Sequence, residues 1–426
     1  MKRIIAIILS VLLAVSMAGC GNGQEDLTGK GTESSEVLQT RETGQTDGKI
    51  ELTLWGAEED QQMLAQMADS FQKQHAGEAD VNITVAVQGE SQCKDNLLGD
   101  VLNGADVFAF ADDQLLALAA SGVLLEIENA EAVKEANVSE ASEAATIGDR
   151  LYAYPMTADN GYFMYYNKDF FSDEDVKTLD SMLEIAAASG KKVAMDWTSG
   201  WYLYAFFGNT GMSIGLNEDG ITNFCDWNRT DGGITGTDVA EAMLAIAQHP
   251  GFANMTDEAF VSGMQDGSVI AGVSGVWNAG KVENAWGSNY GAVKLPTYTC
   301  RGEQVQMASF SGYKMVGVNA YSEHTEWAMK LADWITNEEN QKLRFTMRNQ
   351  GPSNIKAADS DEVRQAPAIQ AVLAQSEHAV LQRVGNSYWS PVQTFGVTMA
   401  EGNPEGKKLQ ELLDKMVEGI TASVAQ

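Results

Sequence analysis

Two acidic pairs, Glu58-Glu59 and Asp112-Asp113, each follow a short apolar run and precede a helical pattern. Glycoside hydrolysis needs two carboxylates at a defined separation, one of them with a raised pKa. Among 59 acidic residues such doublets also arise by chance, so they do not select an enzyme. An HExxH helix and a phosphate-binding P-loop are missing, and His75, His249, His324 and His378 are scattered. The run Asp226-Trp227-Asn228-Arg229-Thr230-Asp231-Gly232 hints at a calcium loop. Its glycine comes one place late and its twelfth position is Thr237, not Glu, so no metal site is expected, and no cofactor. A different kind of signal is Trp277, which stands beside Asn278 and Gly280 at the end of a glycine-spaced apolar run, an unusual choice for a core residue.

The elements that must position these residues alternate. Residues 50–55 read as a strand broken at Gly56, followed by a helix with Met63, Met67, Ala68 and Phe71 on one face. With the strand 81–87 this makes a βαβ opening and predicts a parallel sheet. A buried-type strand at 105–110 runs into Asp112-Asp113-Gln114 and a helix over 115–120 closed by Gly122. Loops at the carboxyl ends of such strands are where ligands collect. Further on, helices are expected over 177–189, 240–248, 257–264, 323–336 and 406–422. Strands are expected over 193–197, 269–277, 290–295 and 308–319, and residues 201–207 are densely aromatic. No internal repeat or β-sandwich spacing is visible, which argues against an adhesion or structural surface protein.

The stretch 147–171 organises the rest. Residues 151–154 form an aromatic-rich run expected to stop at Pro155, Asn160-Gly161 is a turn pair able to take positive φ, and 162–166 is a second β-rich run. Ser172 with Asp175 predicts a capping box for the next helix. A polar corner at Thr157-Ala158-Asp159-Asn160 between two buried runs is either a surface hairpin or a crossing between two domains with Asp159 facing a cleft. The pattern alone does not choose between them.

At the N-terminus Lys2 and Arg3 precede an apolar run, 4–15, that ends in Ser16-Met17-Ala18-Gly19-Cys20. This resembles a bacterial lipoprotein signal, in which the cysteine is lipidated and becomes the new N-terminus. Residues 1–19 would be removed, and 20–48, polar and rich in Gly, Ser, Thr and Glu, would tether the body to the membrane. Residues 49–426 leave room for two or three domains. A formal charge of −31 repels nucleic acid and anionic lipid surfaces. With Cys20 lipidated, Cys93, Cys225 and Cys300 remain, an odd set without CxxC spacing that supports neither a disulfide framework nor a zinc site.

The order of elements resembles the extracellular solute-binding proteins of bacterial ABC importers, in particular the maltose/maltodextrin-like group. The resemblance is carried by LTLWG, GADVFAFADDQLLALAASGVLLEI, LYAYPMTADNGYFMYYNKDFF, VIAGVSGVWNAG, YGAVKLPTY and ADWITNEENQKLRF, in that order from residue 49 to about residue 419. It implies an α/β, two-lobed periplasmic-binding-protein-like fold, each lobe a sheet flanked by helices, joined by a multi-strand hinge. One lobe would be 49–158 plus 313–355, the other 159–312 plus 356–426.

The same resemblance implies a monomeric, non-enzymatic receptor on the outer face of the membrane that hands a malto-oligosaccharide to importer permease subunits. A gluco- or xylo-oligosaccharide receptor and a secreted glycoside hydrolase are the alternatives. A sugar site needs carboxylates and amides for hydroxyls and aromatic planes for ring faces. By position in the family pattern, Asp113, Glu58, Glu59 and Asp159 would meet hydroxyls. Trp277, Trp389, Tyr202, Trp201 and Phe110 would offer rings. Each has a plainer alternative: helix first-turn acid for Asp113, Glu58 and Glu59, core packing for Phe110 and for one of Trp201 and Tyr202. Asp159 stands where the family carries the longer Glu, and Val276 replaces a proline before Trp277. Trp197 reads as core or rim.

Overall fold

The computed structural model describes residues 49–217 and 219–422; the signal, Cys20 and the whole tether, 20–48, lie outside them. Two sheets account for the architecture. The first runs Ala379–Leu381, Ser309–Val318, Val107–Ala111, Ile50–Gly56, Val81–Val87, and Tyr154–Gly161 also pairs with Ser309–Val318. Ile50–Gly56 lies parallel to Val81–Val87 and to Val107–Ala111, as the βαβ opening requires. The second runs Phe252–Asn254, Lys192–Met195, Val269–Ser274, Phe163–Asn167, Tyr290–Val293. Its first three strands are parallel and the last two antiparallel to their neighbours.

Each sheet carries its own core. Leu52, Leu54, Phe108 and Phe110 of the first sheet pack with Met63, Met67 and Phe71 of the helix Gln61–His75 and with Leu331 and Ile335 of Thr325–Ile335. The second sheet is covered on both faces. Trp197, Trp227, Phe206 and Phe395 lie in one apolar cluster, and Phe163, Tyr165, Phe260 and Trp286 in the other.

The stretch 147–171 does pass from one sheet to the other, with Tyr162 between the strands Tyr154–Gly161 and Phe163–Asn167. Its local details differ from expectation. Pro155 lies inside the strand, where the register against Ser309–Val318 is irregular. The absent N–H therefore costs no regular ladder bond. Asn160 and Gly161 are extended rather than a turn, paired with Gly312 and Ser311. Ser172 and Asp175 do bond to each other, yet the helix Leu179–Ala188 is capped by Thr178, whose side chain accepts from Ser181 N–H. A third segment joins the crossing: Ala158 N–H donates to Gly351 O at 2.9 Å, and Thr157 bridges Pro352. The strand Ala379–Leu381, in the part assigned by sequence to the second lobe, pairs with Ser309–Ser311. The aromatic run is a helix, Gly200–Phe207, and Trp277 follows the strand Val269–Ser274 in a single turn of 3-10 helix.

Candidate ligand-binding site

Parallel strands of both sheets end at one cleft of about 1350 Å³. Ile50–Gly56 and Val107–Ala111 deliver residues 57–59 and Ala111, Asp113 and Gln114 to one wall. Lys192–Met195, Phe252–Asn254 and Val269–Ser274 deliver Asp196, Asp257 and Trp277 to the other. Both sheets therefore obey the rule that ligand sites form beyond strand carboxyl ends. The volume exceeds the roughly 300–1,000 Å³ of a drug-sized pocket.

The second-sheet wall is built around Asp257, the first residue of the helix Asp257–Gln265. Its Oδ1 accepts from Ser274 Oγ at 2.7 Å, and its Oδ2 accepts from Trp277 Nε1 at 3.0 Å and Tyr202 OH at 3.1 Å. Burial raises its carboxyl above the usual range in spite of these three donors, and Asp196 nearby adds to the rise. The indole of Trp277 sits so close over Gly275 that a Cβ there would come within 2.0 Å of the ring. Only glycine allows that ring position. Trp201 packs at 5.6 Å from both Tyr162 and Phe310. Trp389 stands edge-on to Tyr388 at 5.0 Å, and Tyr388 OH is fixed by Gly200 O at 2.8 Å. Asp196 spends one oxygen on Thr198, accepting its N–H at 2.8 Å and its hydroxyl at 2.5 Å.

On the first-sheet wall Glu58 and Glu59 are exposed in the turn after the first strand. The Asp112-Asp113 pair divides its roles. Asp113 is exposed to the cleft and accepts from Gln382 Nε2 at 3.2 Å. Asp112 is buried behind it, taking Tyr313 N–H at 2.9 Å with Arg383 at 3.8 Å. Burial pushes Asp112 up to about 7 against those partners. Lys314 and Glu90, 3.4 Å apart, also line the cleft.

Seven of the nine sequence-derived candidates thus line one cleft: Glu58, Glu59, Asp113, Trp201, Tyr202, Trp277 and Trp389. Phe110 is fully buried in the first core and does not line it. Asp159 is also turned away. It is 3% exposed, accepts Gly351 N–H, and borders a second cavity of about 630 Å³, while its neighbour Asn160 borders both that cavity and the cleft. Strand alternation sends adjacent side chains to opposite faces, so the corner's polar residue toward the cleft is Asn160. Sequence reading missed Asp257 and Asp196. Asp257 opens the expected helix 257–264, and the strand that aims it, Phe252–Asn254, has only three residues and leaves no pattern to read. Among the described residues no cluster of three or more His, Cys, Asp or Glu could hold a metal ion, and Cys93, Cys225 and Cys300 are free thiols.

Comparison with known proteins gives a consistent picture. Over 423 residues the chain is 24% identical to the galactooligosaccharide-binding protein of Bacillus subtilis (strain 168), covering 96% of this chain and 94% of that one. It is also 24% identical to a maltooligosaccharide ABC transporter solute-binding lipoprotein of Streptococcus pneumoniae serotype 4, with the same coverage. A solved structure with acarbose superposes with a TM-score of 0.79 at 29% identity, over 88% of this chain and 99% of that chain. The ligand-free maltodextrin binding protein MalE1 of L. casei BL23 superposes with a TM-score of 0.75 at 24% identity, over 88% and 100%. The fold is therefore the two-lobed α/β fold of sugar-binding receptors. The sequence profile of bacterial extracellular solute-binding proteins matches residues 66–371, well over half the chain, and the protein belongs to that family.

Proposed function

We propose that this protein is the substrate receptor of an ABC importer, capturing a malto-oligosaccharide between its lobes and delivering it to the permease. The observation that carries this reading is the meeting, in one cleft, of carboxylates from both sheets with aromatic rings on the second-sheet wall. Carboxylates take sugar hydroxyls, and Trp277, Trp389 and Trp201 offer planes for ring faces. Contacts made to both walls at once exist only in the closed form, so sugar shifts the hinge equilibrium toward closure; hinge closure in such binding proteins is a standard example of this motion. The lobes are 49–158 plus 313–355 and 159–312 plus 356–426. The receptor is a monomer, not an enzyme, held outside the cell by a lipid on Cys20 after loss of residues 1–19.

The galactooligosaccharide-binding relative supports a second sugar class on the same architecture. One experiment addresses all of this: calorimetric titration with malto-, gluco-, xylo- and galacto-oligosaccharides, with product analysis on the same samples. Saturable binding of maltotriose without release of smaller sugars is expected. Preference for another series would replace the sugar, and turnover would replace the receptor by a hydrolase. For the anchor, Cys20→Ser is expected to move the protein from the membrane fraction to the medium.

A further inference from the structure

The helix Glu338–Arg348 lies outside the cleft, yet its buried polar residues connect the cleft to the crossing segments. Asp60 follows Glu58 and Glu59 in the same turn but points inward and is 2% exposed. Its Oδ2 accepts from Arg344 Nη1 at 2.5 Å and its Oδ1 from Arg348 Nε at 2.8 Å. Arg344, 1% exposed, also donates to Gln350 Oε1 at 3.0 Å. The next residue, Gly351, gives its N–H to Asp159 and its carbonyl to Ala158 N–H on the first crossing strand. One turn earlier on the helix, Gln341 donates to Pro155 O at 3.2 Å and accepts from Asn354 N–H at 2.8 Å. Phe345, on the same helix, packs in the second sheet's cluster with Phe163, Ala279 and Ile369. The helix therefore holds the turn of one cleft wall, two crossing segments and the other lobe's core.

We infer that Asp60, Arg344 and Arg348 form a positioning network that sets the Glu58-Glu59 turn and ties it, through Gln350, to the hinge peptide at Gly351. The chemistry fits a fixed link rather than a loose one. Burial opposes the charged carboxylate, yet the two guanidiniums outweigh it and hold Asp60 below the usual carboxylate range. A charge pair this buried tolerates little change in geometry, because losing one partner leaves the other uncompensated. A displacement of the 58–60 turn is thus resisted by the helix, and the helix is itself fixed to the segments that bend. Asp60, Arg344 and Arg348 touch no ligand in this scheme; they act through Glu58 and Glu59. The inference rests on the sugar-receptor reading for its binding consequence, but not for its structural one.

The test uses Arg348→Met, because Arg348 is partly exposed (26%) and Asp60 keeps Arg344 when it is lost. Maltotriose affinity is measured by calorimetry for wild type, Arg348→Met, the pair Glu58→Ala/Glu59→Ala, and the triple variant. Arg348→Met is expected to weaken binding about tenfold, within the range of coupling seen for residues away from a ligand, with Arg348→Lys recovering most of it. In the Glu58→Ala/Glu59→Ala background the same change should have no further effect. Additive losses, or wild-type affinity in Arg348→Met, would overturn the assignment. Hydrogen exchange on the free proteins separates this from failure of the sugar reading. Arg348→Met should speed exchange in both 57–61 and 349–354 even if wild type binds no oligosaccharide. Faster exchange in only one of the two segments, or in neither, would refute the link.

Discussion

Asp257 lines the cleft and fixes two of its rings. Its oxygens hold Trp277 Nε1 and Tyr202 OH, so removing it frees an indole in the cleft and strands a buried hydroxyl. An unpaired buried donor costs about 1–3 kcal/mol. Trp277→Ala is expected to cost on the order of 2 kcal/mol of maltotriose binding, roughly thirtyfold. Asp257→Ala is expected to cost about tenfold, and the double variant less than the sum, because the two share one interaction. Calorimetry on the four proteins checks this; strictly additive losses would mean that Asp257 meets the sugar itself. Asp112 makes a separate, pH-dependent statement. Burial lifts its carboxyl to about 7, so the fold favours the protonated form. Its contribution is full below the unfolded value of about 3.9 and is lost as pH rises through 7. Asp112→Asn keeps a neutral group at every pH. Relative to wild type it should therefore be more stable at pH 8 than at pH 5, read as the difference in urea midpoints.

At the scale of elements, the strands legible in the sequence are those written as continuous β-rich runs, half-exposed Val81–Val87 included. The strand Val81–Val87 and the β-rich run at 162–166 are visible because continuous β-rich runs bounded by Gly or polar residues leave few alternatives. The helix Gly200–Phe207 was not visible, because every residue but Trp201 is buried and no polar face marks a 3.6 period. Pro155 misled for a related reason: the rule against proline in strands assumes a regular ladder, and here the register breaks. Cleft residues at the ends of readable strands, such as Asp113, could be found; Asp257, behind a three-residue strand, could not. The third crossing segment is implied only by the resemblance, which moves the chain between lobes near residue 355; what it does there rests on Gly351 meeting Asp159 and Ala158. A Cβ on Gly351 would come within 2.9 Å of both Asp159 Cβ and Ile369 Cδ1. The isoleucine tip can turn aside, but the aspartate Cβ is tied to its strand. Gly351→Ala is accordingly expected to destabilise by about 1–3 kcal/mol, seen as a lower urea midpoint. An unchanged midpoint would mean that the crossing segments separate without strain.

For the whole molecule, the cleft and the crossing segments together dictate how ligand and stability are linked. The two sheets have separate cores, and the chain passes between them in the strands that also floor the cleft. A ligand held by both walls therefore binds only when both lobes are folded, and unfolding either lobe must release it. By mass action, sugar at a hundred times its Kd adds about 2.7 kcal/mol to unfolding. With an unfolding entropy near 2.1 cal/mol/K per residue over some 370 residues, that corresponds to a rise in Tm of about 3.5 °C. The rise should continue with the logarithm of maltotriose concentration and apply to the whole transition, both lobes together. Scanning calorimetry distinguishes this from binding to a single wall. In that case one lobe's transition would move while the other stayed at its ligand-free temperature, and the cleft would not be shared.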